Sequence, residues 1–179
     1  PSANATNFRI ISYLIDCYDG DIHISTGMTT EAERAELIEY IYENDVANRI
    51  VLYHCTSGYP VPFEDACLLN IEALQERIAI IGQDYFDVAR KNNYKFRGIG
   101  FSGHHKGIAI DIAAYILGAE YIERHFTLDR TWKGTDHAAS LEPQGLEKLN
   151  RDLIATYESL SYRPEGLLEI EKKKKKKLR

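Results

Sequence analysis

The segment from Gly98 to Ser140 constrains the fold most strongly, because short apolar runs alternate in it with polar clusters. Gly98–Phe101 has the apolar character of a β-strand and runs into a polar Ser-Gly-His-His sequence. Lys106–Leu117 carries apolar residues at helical spacing and is followed by Gly118, which commonly ends a helix. Glu120–His125 then predicts a second strand, again with polar residues at its end. The segment therefore predicts a strand, a polar tip, a helix, a second strand and a second polar tip.

The same unit occurs twice earlier in the chain. Strands are predicted at Asp21–Ser25, Asn48–His54, Lys95–Phe101 and Glu120–His125. Helices are predicted at Asn7–Tyr18, from Thr30 to about Asn44, from Pro62, over Lys106–Leu117 and from Pro143. The stretch Ile81–Tyr94 could extend the third helix or add a short one. Strands that alternate with helices predict a parallel sheet.

Four parallel βα units amount to half of an eight-stranded TIM (β/α)₈ barrel. An open, doubly wound sheet is the alternative. That fold favours a glycine-rich phosphate turn of the GxGxxG or GxxxxGK[ST] type, and neither motif occurs in the sequence. Residues capable of chemistry end every strand instead, which favours the barrel, where all the tips converge on one mouth.

Charge and composition exclude two classes of partner. The net charge of the 179 residues is −5, and lysine and arginine are scattered up to the C-terminal tail, so no basic face for nucleic acid is predicted. No apolar run approaches the roughly 20 residues that a membrane span needs. The three cysteines have no zinc-type spacing, and we interpret them as reduced thiols of a cytoplasmic protein.

Two histidines end neighbouring predicted strands. His104 and His125 should lie side by side at the carboxyl edge of a parallel sheet, where ligands bind. Two neutral imidazoles would leave a divalent ion with open positions for water or a substrate oxygen. The alternative is that each is a hydrogen-bonded surface residue. His105 should point to the other side, and His23 should face the helix layer.

The sequence pattern gives weaker evidence for the roles of the other candidate residues at the mouth of the barrel. The direction of His54 is left open, and His137 could reach the mouth. Glu123 could point to the same side as His125, or it could form a structural pair with another side chain. The strand tips are rich in hydroxyls, at Ser2, Ser25, Thr26, Thr56, Ser57 and Ser102. Together they favour binding of a phosphate or carboxylate, although each alone could simply cap the following helix.

Several strings of the sequence resemble the sialic acid synthase family. GFSGHHKGI, LGAEYIERHFTLDRTWKGTDHAASLEP and HCTSGYPVPFED are similar to the C-terminal half of that family's catalytic barrel. The resemblance runs from Pro1 to about Leu160. It implies a partial catalytic barrel at residues 1–160. Residues 161–179 would be a solvated, mobile linker that includes six lysines and leads toward an antifreeze-like domain.

The resemblance implies a reaction and a set of site residues. Phosphoenolpyruvate would condense with an N-acyl hexosamine, N-acetylmannosamine or its 6-phosphate, to give a sialic (nonulosonic) acid and phosphate. A divalent metal ion, Mn²⁺ or Mg²⁺, would bind His104 and His125, which are the implied catalytic residues, and polarise the sugar aldehyde. The implied substrate-binding residues are Ser2, Ser57 and Ser102 for phosphoenolpyruvate, and Tyr59 and Asp136 for the amino sugar. The full-length protein is expected to be a homodimer.

The chain departs from the family pattern at two positions. Asn4 stands where the family usually has an acidic residue, and Ser57 replaces an amide found in some members. A glutamate and lysines from the family's first strands, and an arginine from its terminal domain, are not in this chain. We therefore expect a fragment that is inactive alone. The alternatives are a non-catalytic half-barrel that binds anions and metal, or a related synthase with a different sugar.

Overall fold

Four parallel strands form a single sheet in sequential order. The computed structural model describes residues 2–85 and 95–178. The strands are β1 (Ile22–Ser25), β2 (Ile50–Cys55), β3 (Gly98–Gly103) and β4 (Tyr121–Arg124). Each pairs in parallel with the next, with Ile22 opposite Ile50, Val51 opposite Gly98, and Gly100 opposite Tyr121. The curled sheet with its helices confirms the predicted fold class, the C-terminal half of a TIM barrel.

The helices begin where the sequence offers caps. They are α1 (Phe8–Cys17), α2 (Glu31–Glu43), α3 (Asn70–Tyr85), α4 (Ala109–Ile116), α5 (Pro143–Ser159) and α6 (Glu169–Lys177). Thr30 caps α2 in a reciprocal capping box with Glu33. Pro143 occupies the first turn of α5, where its missing N–H has no consequence. Gly118 follows α4 with φ of +99°, as predicted for its role as a stop.

The hydrophobic core lies between the sheet and the helices. Ile22 and Ile24 of β1, Leu52 of β2, and Ile99 and Phe101 of β3 all point to this face. They pack against apolar residues of α2 and α3, among them Leu37, Ile38, Ile41, Ile71 and Leu74. The two central strands are buried at every position, whereas β1 and β4 are partly exposed. The core therefore holds β2 and β3 most firmly.

The opposite, concave face carries aromatic and polar side chains. Our prediction that His23 faces the helix layer is wrong, because Ile22 and Ile24 occupy that side and alternation turns His23 away from it. Its Nδ1 lies 2.8 Å from the hydroxyl of Tyr53. A Cβ at Gly100 would come within 2.4 Å of the Tyr53 ring. The glycine thus makes room for the large rings of this face.

Two helices begin later than the sequence predicted. Residues 63–66 form a short 3₁₀ turn, and α3 starts only at Asn70, because Cys67 between them adopts a left-handed conformation with φ of +46°. Likewise α4 starts at Ala109 and not at Lys106, because Gly107 has φ of +82°. Helical hydrogen bonding cannot pass through a left-handed residue.

The lysine-rich tail, which lies in the segment predicted as a linker, forms a helix. Glu169 and Glu171 lie in the first turn of α6 and four lysines in its last, an arrangement that complements the helix dipole. Lys172 adds an ion pair of 2.6 Å with Glu169. Apart from the half-buried Glu171, the helix is exposed.

Helix α3 extends to Tyr85, as one of the two predictions for Ile81–Tyr94 required. Residues 86–94 lie outside the described residues.

Within residues 2–85 and 95–178, no helix has both the length and the apolar character needed to cross a membrane.

The packing of α2 against the sheet can be tested by cavity formation. Ile38 is fully buried, so Ile38→Ala should lower the free energy of unfolding by about 2–5 kcal/mol. Ile80 on α3 is 51% exposed, and Ile80→Ala should change it by less than about 0.5 kcal/mol. Urea denaturation of both variants measures the difference. Equal losses would contradict the assignment of the core to this face.

Candidate functional site

Three serines that the sequence places far apart converge near the carboxyl ends of the strands. The Oγ atoms of Ser2 and Ser57 are 2.9 Å apart, although 55 residues separate them. Ser102, the fifth residue of β3, is 3% exposed and lies opposite Cys55 in the sheet register. We call Ser2, Ser57 and Ser102 the serine cluster. Their hydroxyls can donate hydrogen bonds to a carboxylate or phosphate.

Cys55 connects the members of the serine cluster. The hydroxyls of Ser57 and Ser102 and the backbone N–H of Gly27 all contact its thiol. A Cβ on Gly27 would meet Ser57 Oγ at 2.5 Å and Cys55 Sγ at 3.0 Å, so the close approach of this loop requires glycine. Burial is the main cause that raises the pKa of Cys55. The thiol is therefore a neutral packing group at pH 7 and not a thiolate nucleophile.

The two predicted metal-binding histidines lie side by side. The ring centroids of His104 and His125 are 5.1 Å apart, with an angle of 68° between the ring planes. His104 follows β3 and His125 follows β4, and these strands are neighbours in the parallel sheet. We call His104 and His125 the imidazole pair. The pair meets the serine cluster through Cys55, whose Sγ lies 3.9 Å from Nδ1 of His104.

The backbone fixes the tautomer of His104. Its Nδ1 donates a hydrogen bond of 2.9 Å to the carbonyl oxygen of Thr56. The lone pair available for a ligand is therefore on Nε2. Burial is the largest of the causes that lower the pKa of His104 from its ordinary 6.5, and the neighbouring His125 acts in the same direction. A neutral imidazole at pH 7 is the form that binds metal ions.

Tyr59 and Asp136 border the imidazole pair from two different loops. The Tyr59 ring centroid is 4.5 Å from that of His104 and 5.5 Å from that of His125. One carboxylate oxygen of Asp136 lies 3.8 Å from Nδ1 of His125. Tyr59 is 44% exposed and the Asp136 side chain 48%, so both face the open side of the site.

The donor set fits a metal ion that keeps open coordination positions. In residues 2–85 and 95–178, no group of three or more His, Cys, Asp or Glu side chains is arranged to hold a metal ion. Two imidazoles alone would leave most coordination positions to water and substrate oxygens, as catalytic rather than structural sites require. The imidazole pair is therefore suited to a metal ion that also takes water or substrate oxygens as ligands.

A buried ion pair holds together the two loops that carry the imidazole pair. We call His105, Asp111 and Arg124 the Arg124 cluster. Arg124 Nη1 lies 2.5 Å from Asp111 Oδ2, and the two side chains are 2% and 0% exposed. The same guanidinium donates to the carbonyl oxygens of His105, Gly107 and Ala139. The loop after β3 and the loop after β4 are therefore tied to one side chain.

The remaining histidines have structural contacts. His105 points to the helix side, as predicted, and its Nε2 is 3.3 Å from Asp111 Oδ2. His54 also turns to that side, where its Nε2 donates to the carbonyl oxygen of Ala66 at 2.8 Å. His137 does not join the imidazole pair: its Nδ1 bonds Thr127 Oγ1 at 2.8 Å, and its ring packs on Trp132.

Glu123 shares the concave face with Tyr121, since Ile122 between them packs on the core. Its carboxylate acts electrostatically on Tyr53, Tyr59 and His104. This decides the orientation that the sequence left open, and places Glu123 near the imidazole pair.

Comparison with known proteins agrees with this geometry. The NeuB family model matches residues 1–85 and 88–164. The chain belongs to the NeuB family. An N,N'-diacetyllegionaminic acid synthase of Campylobacter jejuni is 37% identical over 150 residues, which are 83% of this chain and 40% of that protein. The N-acetylneuraminate-9-phosphate synthase of Mus musculus is 43% identical over 117 residues, 65% of this chain and 28% of that protein.

Solved structures show the same fold. An N-acetylneuraminic acid synthetase from Leptospira borgpetersenii, in complex with citrate, matches with a TM-score of 0.74 and 27% identity. The match covers 98% of this NeuB-family chain and 55% of that one. The chain matches 40% of the length of the legionaminic acid synthase and 28% of the length of the N-acetylneuraminate-9-phosphate synthase named above.

Sequence reasoning missed several residues of this NeuB-family site. Cys55 and Asp111 carried no motif, and their positions follow only from the sheet register and the packing of α4. Arg124 likewise had no predicted role. The placement of Asp111 at the start of an otherwise apolar helix is the one signal that could have indicated a buried charge.

The Arg124 cluster predicts a large difference between two Arg–Asp pairs. Asp111→Asn leaves the Arg124 charge buried without its partner and should lower the free energy of unfolding by about 3–5 kcal/mol. The matched control is Asp21→Asn, which breaks an exposed pair with Arg97 and should cost at most about 1 kcal/mol. Urea denaturation measures both. A loss below 1 kcal/mol at Asp111 would show that the cluster does not stabilise the fold.

His104 should titrate below an ordinary histidine. Because burial disfavours its imidazolium, its midpoint in the metal-free protein should lie below 6.5 in an NMR titration of the ring. The unfolded chain then binds the proton more readily, so this residue lowers the stability as the pH falls below about 6.5. A midpoint above 6.5 would contradict the neutral form. Assignment by comparison with His104→Gln identifies the signal.

Proposed function

We propose that the chain forms the metal- and anion-binding half of a nonulosonic acid synthase. Its substrates would be phosphoenolpyruvate and an N-acyl hexosamine, N-acetylmannosamine or its 6-phosphate, and its products a sialic acid and phosphate. One observation carries the proposal: the serine cluster and the imidazole pair meet at the same end of the sheet, where Cys55 contacts Ser57 and Ser102 and its Sγ lies 3.9 Å from Nδ1 of His104. The names of the NeuB relatives support the product class.

The proposed reaction joins two carbons and releases phosphate. C3 of phosphoenolpyruvate attacks the aldehyde carbon of the open-chain sugar, whose oxygen takes a proton. Water adds at C2, its oxygen becomes the ketone oxygen of the product, and the C2–O bond to phosphate breaks. A Mn²⁺ or Mg²⁺ ion bound to His104 and His125 would supply Lewis acidity for the aldehyde oxygen.

The side chains of the site have separate roles in this proposal. The serine cluster would bind the phosphoenolpyruvate anion with hydroxyl donors, together with residues outside this chain. The carbonyl of Thr56 holds His104 in the tautomer that leaves Nε2 available. Asp136, which accepts hydrogen bonds when ionised, would orient the hydroxyls of the sugar, and Tyr59 would cover the imidazole pair on its open side. The family resemblance further supports a cytoplasmic homodimer.

One departure favours a second function. Asn4 lies in the same 3₁₀ turn as Ser2, where the family usually has an acidic residue, and an amide cannot act as a general acid or base at neutral pH. A half-barrel that binds the anion and metal without turnover is therefore the alternative. Product analysis of the full-length protein with phosphoenolpyruvate and a panel of hexosamines separates the two functions. Binding of phosphoenolpyruvate without any product, also for Asn4→Glu, would favour the non-catalytic one.

Asp136 provides the sharpest test of the sugar-contact role. Removing a carboxylate that bonds a hydroxyl costs about 1.5–3 kcal/mol. Asp136→Ala in the full-length protein should therefore weaken the use of amino sugar by about 10- to 100-fold. The affinity for phosphoenolpyruvate should stay nearly unchanged, because the serine cluster binds it. Steady-state kinetics with each substrate varied in turn measures both effects.

The control is Asp129→Ala in the same loop, where the carboxylate caps Thr131 and does not contact the imidazole pair. It should leave the use of both substrates close to that of the unchanged protein. Equal losses for both substrates in Asp136→Ala would show that Asp136 supports the fold or the metal ligands instead.

A further inference from the structure

A cavity lies outside the serine cluster and the imidazole pair, between the loops that follow β3 and β4. It has a volume of about 220 Å³, and its charged lining residues are Lys106, Arg130, Glu142 and Lys148. We call it the basic pocket. Lys106 is two residues beyond His104, and Leu141 of the same lining donates its N–H to the carbonyl oxygen of His125. The pocket therefore shares both loops with the imidazole pair.

The charge of the basic pocket matches a phosphate monoester. Three cations face one carboxylate, which leaves an excess of two positive charges. The backbone N–H of Arg130 donates to Glu142 Oε1, and the Arg130 guanidinium donates to the carbonyl oxygen of Ala138. Within residues 2–85 and 95–178, Lys106 and Lys148 form no ion pair. These two ammonium groups are available to a dianion.

The backbone around the basic pocket also suits an anion. The pocket is lined by residues at the starts of both α4 and α5, and neither helix start has a side-chain cap, unlike α1 and α2. Two residues that line the pocket, Gly107 and Ala139, have carbonyl oxygens that accept hydrogen bonds from Arg124. The backbone N–H groups at these two helix starts therefore have no side-chain cap. Two carbonyl oxygens of the lining are already hydrogen-bonded to Arg124.

The position in the fold agrees with this chemistry. In TIM barrels a phosphate site is frequently formed by the loops after the seventh and eighth strands together with a helix start. β3 and β4 are the last two strands of the half-barrel. We infer that the basic pocket binds a phosphate group, either that of a phosphorylated sugar substrate or the orthophosphate that the reaction releases. The identity of these two ligands rests on the proposed function, whereas the binding of a phosphate group does not.

Calorimetry on the full-length protein, in low salt with a chelator present, tests the inference without metal or turnover. The probes are N-acetylmannosamine 6-phosphate, N-acetylmannosamine and inorganic phosphate. The double variant Lys106→Gln/Lys148→Gln should lose at least about tenfold in affinity for the phosphorylated sugar or for inorganic phosphate. The control Lys133→Gln removes an exposed lysine of the adjacent loop that does not line the pocket, and it should retain both affinities.

The probes separate the two sources of phosphate. Tighter binding of the phosphorylated sugar than of inorganic phosphate, lost in the double variant, assigns the pocket to the substrate. Equal binding of both, lost in the double variant, assigns it to released phosphate. Unchanged affinity in the double variant, or an equal loss in Lys133→Gln, overturns the inference. A failure of the proposed condensation would appear in product analysis with these affinities intact, so the two failures are distinguishable.

Discussion

The buried ion pair of Arg124 and Asp111 is the interaction on which the geometry of the site most depends. Charges with so little exposure are stable only when they are paired. The Nη atoms of Arg124 also donate to carbonyl oxygens in the loops after β3 and β4, whereas Arg124 Nε and Asp111 Oδ1 have no hydrogen-bond partner among the described residues. These loops carry the imidazole pair and line the basic pocket. The positions of both candidate sites therefore follow from one guanidinium.

The two faces of the sheet differ in their contribution: the helix side stabilises the fold, and the concave side leads to the candidate binding residues. The helix side carries the hydrophobic core together with the Arg124 cluster and His54, and it supplies the hydrophobic driving force. The concave side has glycines in β3 beneath the rings of Tyr53 and Tyr121, and burial raises the pKa of Tyr53 to about 12. A neutral phenol next to His23 is consistent with a layer of hydrogen-bonded rings. The serine cluster and the imidazole pair lie near the carboxyl ends of the strands.

The two candidate sites differ in how they would hold negative charge. At the inner site, the thiol of Cys55 is neutral and the pKa of His104 is lowered, so neither group supplies a positive charge at pH 7. The basic pocket has exposed lysines in its lining, and their positive charge attracts a dianion over a longer distance. A substrate with one reactive end and one phosphate would suit both sites.

The sequence alone determined the order of the elements, the parallel sheet, and the proximity of His104 and His125. Alternation of strands and helices is a local pattern, and parallel strands must end at the same edge. Only the tertiary structure decided which face His23 occupies, because alternation is symmetric between the two faces of a strand. It also decided that Arg124 and Asp111 are buried, where composition would have placed both at the surface. Their pairing depends on how α4 packs against β4, and such long-range packing leaves no periodic signal in the sequence.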